Sequence, residues 1–376
     1  LTDKPPPKAS PSVFKRILRI AVFVAALYAF LLSIEMISGS LKLLGMPFAE
    51  ALIKMTSNPV IGLFIGILVT ALIQSSSATT SLVVSFVAAQ TITGASLLPV
   101  EHAIPIIMGA NIGTTVTNVI VSLFHISRKD EFIRAFPAAT LHDMFNILSV
   151  IVFFTIEVFF HPIGYVSGKL AQWFAGVGGF KVVSPLAFVV KPVARAIIHL
   201  LGSRFYFTLP VAALLLFGGL RFMVDGMRKL VGSRTEVFID RYLFGGPVRA
   251  FLVGLTITAA IQSSSVTTSF AVPLAGAGLL TLDQLFPYVL GANIGTTVTA
   301  ILASLVTGSP LAIQVAFAHL LFNIFGTALW YPLKIVPLSL ARLLGKIVSK
   351  RRWFALVYLA VVFVIIPVGL ILLLRR

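Results

Sequence analysis

Gln74–Ser81 reads QSSSATTS, and Gln262–Ser269 reads QSSSVTTS. Each run is followed by a second shared text, GANIGTTVT, at Gly109–Thr117 and again at Gly291–Thr299. The first serine run separates two apolar segments, Pro59–Ile73 and Ala78–Ala89. The second separates Pro247–Ile261 from Val266–Leu280. A bilayer crossing needs about 20 apolar residues, and none of the four segments reaches that length. The pattern predicts one re-entrant helical hairpin per half of the chain, with the serines at its tip.

The duplication extends beyond these motifs. NPVIGLFIGILVTALIQSSS at Asn58–Ser77 parallels GPVRAFLVGLTITAAIQSSS at Gly246–Ser265, and HDMFNI at His142–Ile147 parallels HLLFNI at His319–Ile324. Met36, Gly39 and Lys42 match Met223, Gly226 and Lys229. The copies occupy residues 17–160 and 204–335, each a span, a hairpin and two further spans. Around them lie a Pro- and Lys-rich tail (1–16) that reads as disordered, an interfacial connector (161–203), and a basic linker with a last span (336–376).

Bulk composition places these segments in lipid. Hydrophobic residues are 58% of the chain, charged residues 11%, and mean hydropathy is +1.03. A soluble domain carries about 25% charged residues. The formal net charge of +17 does not indicate nucleic acid, because the Lys and Arg residues cluster between apolar spans and no reading motif accompanies them. Cysteine is absent, which excludes disulfides and thiolate metal sites. The run Ile17–Ile37 is too long for a signal peptide's apolar region and reads as a retained span.

The remaining spans are Leu98–Phe124 (interrupted at Gly109–Thr115), Phe136–Phe159, Phe205–Met227, Leu282–Val306 (broken at Gly291–Thr297), Leu311–Ile335 and Trp353–Leu374. Three of them lie between the hairpins, so the second hairpin enters from the opposite face. The expected fold is an all-α polytopic membrane protein of two inverted-topology repeats, each with a re-entrant hairpin and broken helices. A cytoplasmic N-terminus puts Arg128, Lys129 and Arg134, the stretch Arg228–Arg249 and the linker Arg342–Arg352 inside, as basic loops require. It leaves Arg375 and Arg376 outside unless the last span bends at Pro367 or a further span follows.

The tips suit an anion. Helix N-termini offer N–H groups and partial positive charge, and serine adds hydroxyl donors. Gln74, Ser75, Ser76 and Ser77 with Gln262, Ser263, Ser264 and Ser265 are the candidate ligands. The bland reading is that such hydroxyls bond backbone or hold helices together; two matched octapeptides in matched contexts argue against it. The Gly-Asn-Thr patches would free carbonyls at membrane depth. Asn111, Thr114, Thr115, Asn293, Thr296 and Thr297 supply hard oxygen ligands for Na⁺, although the same patches would also serve as packing kinks. Asp143 is an acid within a span, a candidate cation ligand. Its counterpart is Leu320, so any such site is asymmetric. His142 and His319 read as helix-packing hydrogen bonders. No G-x-S-x-G elbow and no P-loop occurs, so neither acyl chemistry nor an ATP motor is indicated.

Taken together, the paired QSSS runs, GANIGTTVTN and GANIGTTVTA, HDMFN, and the late WYPL and RWFALVYL resemble the type II sodium-dependent phosphate cotransporters. The resemblance covers about residues 30–160 and 205–362. It implies coupled transport of sodium and inorganic phosphate by alternating access, phosphate held by Gln74–Ser77 and Gln262–Ser265, sodium ions as the coupling ions and no cofactor. It also implies electrogenic transport, since members with Asp at the Asp143 position use an additional sodium whereas those with Gly do not. The short 161–203 stretch replaces the large loop of animal members. Hydroxyl-rich tips alone leave open a sodium-coupled carrier of sulfate or arsenate, a passive anion channel, and a non-transporting sensor.

Overall fold

Proline and capping residues punctuate this chain, and the helices begin where they stand. A computed structural model describes residues 14, 17–26, 28–29, 32–33, 36, 40, 58–88, 96, 98–174, 185–215, 218–219, 222, 245–261, 263–307 and 309–374. Gln262, most of the 1–16 tail, much of the first and fourth expected spans, and Arg228, Lys229, Arg234 and Arg241 lie outside the described residues.

The regular elements among the described residues are helices. They run α1 (Ile17–Ala26), α2 (Pro59–Ile73), α3 (Ser76–Ala88), α4 (Val100–Thr114), α5 (Val116–Leu123), α6 (Lys129–Phe160), α7 (Pro162–Phe174) and α8 (Pro185–Leu200). There follow α9 (Phe205–Leu215), α10 (Pro247–Ile261), α11 (Ser264–Gly276), α12 (Leu282–Thr307), α13 (Pro310–Trp330), α14 (Ile335–Lys350), α15 (Phe354–Ala360) and α16 (Ile366–Leu374). Four stretches are long and apolar enough to cross a bilayer: Val100–Leu123, Lys129–Phe160, Pro310–Trp330 and Phe354–Leu374.

Local chemistry explains the boundaries. Asn58 accepts the Val60 N–H at 2.8 Å ahead of Pro59 at N1, and Ser309 caps α13 in the same way ahead of Pro310. At the α6–α7 corner His161 is left-handed (φ 51), and Glu157 receives the first amides of α7, from Ile163 (2.7 Å) and Gly164 (2.9 Å). The connector expected at 161–203 is therefore built of α7 and α8. Likewise, the expected basic linker contains α14. In the last span the departure from α geometry is not at Pro367 itself but in the π-helical turn Val361–Ile365 before it. Pro367 has no N–H to give the Phe363 carbonyl, and the preceding bonds slip by one residue, with Ile366 N–H reaching Val361 O.

The two copies pack alike. α2 lies on α4, and α10 lies on α12. Lipid supplies no hydrophobic drive between helices, so close van der Waals contact and interhelical hydrogen bonds hold them. Glycine makes that contact possible. A Cβ on Gly66 would overlap the Ile106 carbonyl, and one on Gly254 would overlap the Tyr288 carbonyl. Gly109 and Gly113 press on Leu63 and Ile67 just as Gly291 and Gly295 press on Phe251 and Leu255. The glycines of the GANIG patches thus serve as contact surfaces, and the expected break at Gly291–Thr297 is a correction: α12 runs unbroken from Leu282 to Thr307. The first copy does break, at Thr115.

Across the copies the packing is crossed. α3 lies against α12 and α13, whereas α11 lies against α5 and α6. One core joins α2, α3 and α4 with α13 through Ile65, Val83, Ile106 and Phe322. A second joins α6, α11, α12 and α14 through Phe145, Leu274, Phe286 and Leu338.

Candidate functional site

The two serine turns are built identically where both are described. Gln74 ends α2 in the left-handed region (φ 53), its N–H on Thr70 O at 2.7 Å. Ser75 Oγ then accepts the Ala78 N–H at 3.2 Å, and Ser75 O accepts Thr79 N–H (3.0 Å) and the Thr79 hydroxyl (3.2 Å). In the second copy Ser263 Oγ accepts Val266 N–H at 3.3 Å, and Ser263 O accepts Thr267 N–H (3.2 Å) and its hydroxyl (3.0 Å). Both serines cap the following helix through an oxygen lone pair. Each keeps its O–H proton to donate elsewhere. Thr70 Oγ1 also donates to Thr79 Oγ1 at 3.0 Å, tying the arms of the first turn. Ser76, Ser264 and Ser265 are buried.

The second turn reaches the first copy's helix break: Ser265 Oγ donates to Thr114 O at 3.4 Å. Beside it, Thr268 and Ser269 hydroxyls donate to Asn118 Oδ1 at 3.1 and 2.8 Å. Asn118 faces His142 Nδ1 at 3.4 Å, and His142 Nε2 faces Asn293 Oδ1 at 2.7 Å. Since Asn293 Oδ1 only accepts, His142 carries its proton on Nε2, and Nδ1 is left to accept from Asn118. Asn293 Nδ2 donates to Asn146 Oδ1 (2.7 Å), and Asn146 Nδ2 donates to Asn111 O (2.8 Å). Asn111 Oδ1 is approached by His319 Nε2 at 3.4 Å and by Asn323 Nδ2 at 3.5 Å. Asn111 and Asn293, both expected as ligands, thus sit in one buried network with both histidines.

The threonines of the patches turn their protons onto their own helices. Thr114 bonds Ala110 O (2.8 Å), Thr296 bonds Ala292 O (3.0 Å) and Thr297 bonds Ile294 O (2.7 Å). A hydroxyl so engaged offers only lone pairs outward, which suits a cation and not an anion. Thr115 shares its hydroxyl between Ile112 O (2.7 Å) and Asp143 Oδ1. Its counterpart Thr297 has no acid to reach, because Leu320 stands where the first copy has Asp143; this asymmetry accompanies the break at Thr115.

Asp143 is fully buried. Its second oxygen accepts from the Tyr358 hydroxyl at 3.0 Å, and no ion pair reaches it among the described residues. Only when ionised can a buried carboxyl of this kind hold a cation. Tyr358, Asn118, Asn146 and Asn323 were not singled out as site residues from the sequence. The recurring His-x-x-x-Asn spacing of HDMFN and HLLFN, one helix turn apart, was the available signal for Asn146 and Asn323. Nothing local marked Tyr358.

The sequence has relatives among known proteins. A family profile described as Na+/Pi-cotransporter matches residues 29–181 and 214–373. The chain is 34% identical to sodium-dependent phosphate transport protein 2A of Mus musculus over 448 aligned residues, covering 97% of this chain and 69% of that protein. It is 33% identical to sodium-dependent phosphate transport protein 2B of Homo sapiens, covering 94% of this chain and 65% of that protein. No solved structure matches it. The chain belongs to the Na+/Pi-cotransporter family.

Proposed function

We propose that this protein couples sodium entry to inorganic phosphate transport by alternating access, with the two serine turns as the phosphate site. The observation that carries the reading is the matched capping of Ser75 and Ser263, together with the bond from Ser265 to Thr114 of the other copy. Two first-turn helix ends and their serine protons supply donors of the kind a phosphate dianion needs. The assigned phosphate ligands are Gln74–Ser77 and Gln262–Ser265, Gln262 by its place in the repeat. The assigned sodium ligands are the oxygens of Asn111, Thr114, Thr115, Asn293, Thr296 and Thr297, with Asp143 for an additional ion. Phosphate dianion with two Na⁺ is neutral, and a further Na⁺ at Asp143 makes each cycle carry one charge.

The reading includes two repeats, 17–160 and 204–335, inserted in opposite senses with re-entrant hairpins. Hydrogen bonds at two places support that inversion. At the end of α3, Ser96 Oγ bonds Val87 O and Leu98 O, both at 2.8 Å, beside the start of α4. At the end of α11, Gly276 O accepts from Arg134, in the first turns of α6. Since α4–α5 and α6 run antiparallel through a short turn, those two hairpin ends belong to opposite ends of the bundle. The basic end, with Lys129, Arg134 and Lys346, then faces the cytoplasm along with the N-terminus.

The experiment is labelled phosphate uptake into proteoliposomes under an inward sodium gradient, with potassium as control and sulfate and arsenate as competitors. Uptake driven above equilibrium by sodium is the expected result. Flux that merely equalises phosphate, with or without sodium, would mean a channel; stronger competition by sulfate than by phosphate itself would mean another oxyanion.

A further inference from the structure

The basic segment after α13 forms an in-plane helix with a surface of its own. Both ends of α14 are pinned to the same end of the bundle. Arg342 Nη2 donates to Asp283 Oδ2 at 2.6 Å, and Lys334 Nζ lies 3.7 Å from Asp283 Oδ1, at the start of α12. Just past the other end, Arg352 Nη1 donates to Ile126 O at 2.6 Å, in the α5–α6 turn. Arg134 joins the start of α6 to Gly276 O at 2.9 Å, only a few residues ahead of α12. A helix of 16 residues spans about 24 Å, yet α14 returns to the level it left, so it lies across the bundle's end and does not cross the bilayer.

Its inner face is committed. Pro337, Leu338, Ala341, Gly345 and Val348 are buried, with Gly345 against Pro137 of α6. Its outer face mixes two chemistries on one strip. Leu343, Lys346, Ile347 and Lys350 follow helical spacing and are all exposed. Arg351 is exposed next to them, followed by Trp353, which is 52% exposed and stacked on Phe354 at 4.3 Å. No ion pair engages Lys346, Lys350 or Arg351 among the described residues. Among the described residues the acids at this end are few: Asp283 is held by Arg342 and Lys334, and Glu131 by Arg128 and His125, leaving Asp130 exposed beside Lys129.

We propose that the α14 strip binds the headgroups of anionic glycerophospholipids, with Lys346, Lys350 and Arg351 on the phosphates and Leu343 and Ile347 among the acyl chains. Leucine and isoleucine beside lysine on an in-plane helix match the two layers of a bilayer interface. Cations there draw negatively charged lipid by their number and position. Continuity decides for lipid over an acidic protein. The strip passes through Trp353, an interfacial residue type, directly into the span Phe354–Leu374, whose most apolar window is only 11% buried within the bundle. The inference does not depend on what the protein transports.

Trp353 is also the reporter. The full chain carrying Trp173→Phe and Trp330→Phe is reconstituted in phosphatidylcholine vesicles containing phosphatidylglycerol, with either lipid brominated in turn. Bromine quenches tryptophan on contact. Brominated phosphatidylglycerol should quench several-fold more per mole than brominated phosphatidylcholine at about 0.1 M salt. That preference should fall to near one in Lys346→Gln/Lys350→Gln/Arg351→Gln, and at about 1 M salt, where the screening length shrinks to about 3 Å. Equal quenching by the two lipids would overturn the proposal and give the face to a protein partner. So would a preference that survives the substitutions. If the triple variant does not fold, the salt series on the otherwise unchanged chain decides, since a preference that persists at high salt is not one for headgroup charge.

Discussion

His142 Nε2 lies 2.7 Å from Asn293 Oδ1, and the matched His319 Nε2 lies 3.4 Å from Asn111 Oδ1, so the histidine of each copy reaches the asparagine of the other. The two halves are thereby cross-linked at their centre by side chains that occupy equivalent places in the repeat. The two bonds differ in strength. His142 has Asn118 on its second nitrogen, whereas His319 Nδ1 has no hydrogen-bond partner among the described residues. Asn118 is itself an asymmetric addition, since the second copy has Ala300 at that place.

That difference predicts unequal costs. Asn293→Leu removes the acceptor of a short bond and leaves Asn146 and His142 each short of a partner in a buried network. Interhelical bonds in membranes are worth about 0.6–2 kcal/mol, and an orphaned buried group adds to the loss. We expect Asn293→Leu to lower unfolding stability by about 2 kcal/mol, and His319→Leu by less than half of that. A double-mutant cycle on His142 and Asn293 in detergent should show coupling. Strict additivity would mean that the contact carries no energy.

The helix contacts give a sharper contrast. Gly66→Ala and Gly254→Ala each push a methyl into a carbonyl on the partner helix, at Ile106 and Tyr288. Backbone cannot retreat as a flexible side chain can, so each should cost at least about 1–3 kcal/mol. Gly369→Ala meets nothing within 4 Å and should be neutral or slightly stabilising. Thermal unfolding of the three variants in one detergent checks the order. Equal melting points would mean that α2 and α10 can slide to make room.

Much of this arrangement was legible in the sequence, because proline and serine punctuate it. Pro59–Ile73 and Pro247–Ile261 have the expected bounds, fixed by proline at the first helical position and by a polar turn after the last. Read from the sequence, the glycine patches suggest both unwinding and a packing kink, and the close contacts fit the second. In water a helix-interior glycine loosens a helix, but in lipid the same residue admits a neighbouring backbone; α12 stays whole for that reason. The crossed His–Asn pairs join residues 151 and 208 positions apart, and Tyr358 meets Asp143 over 215. No local pattern encodes such a distance. Asp143 stood out because an acid in an apolar run is costly, whereas a tyrosine in an apolar span is ordinary.

Removing a donor from a serine turn should weaken anion binding and spare the fold. Ser76 and Ser264 open α3 and α11, and both are buried. A hydrogen bond to a charged group is worth about 1.5–3 kcal/mol, or roughly tenfold or more in affinity. Ser76→Ala and Ser264→Ala should each raise the half-saturating phosphate concentration by that factor in proteoliposome uptake, with melting temperature little changed. Unaltered phosphate dependence in both variants would move the anion site away from the turns.

The sodium role proposed for Asp143 predicts that charge movement can be separated from phosphate transport. The carboxyl is buried, is met by Thr115 and Tyr358, and has no cationic side chain paired with it among the described residues. On the sodium-site assignment proposed above, a bound cation supplies the compensating charge during transport. Asp143→Gly removes that ligand while leaving the serine turns and the Asn111–Asn293 network in place. Transport should become electrically silent, with the charge moved per phosphate falling from about one toward zero, and sodium dependence less steep. Simultaneous current and labelled-phosphate measurements give that ratio directly. A variant that still transports phosphate with an unchanged ratio would show that the buried acid holds α6 to the last span through Tyr358 and does not count sodium. The matched change Tyr358→Phe distinguishes these roles further, because it breaks the link to the last span and keeps the carboxyl. If Asp143 is a cation ligand, that variant should retain a ratio near one even where its stability falls by about 1 kcal/mol.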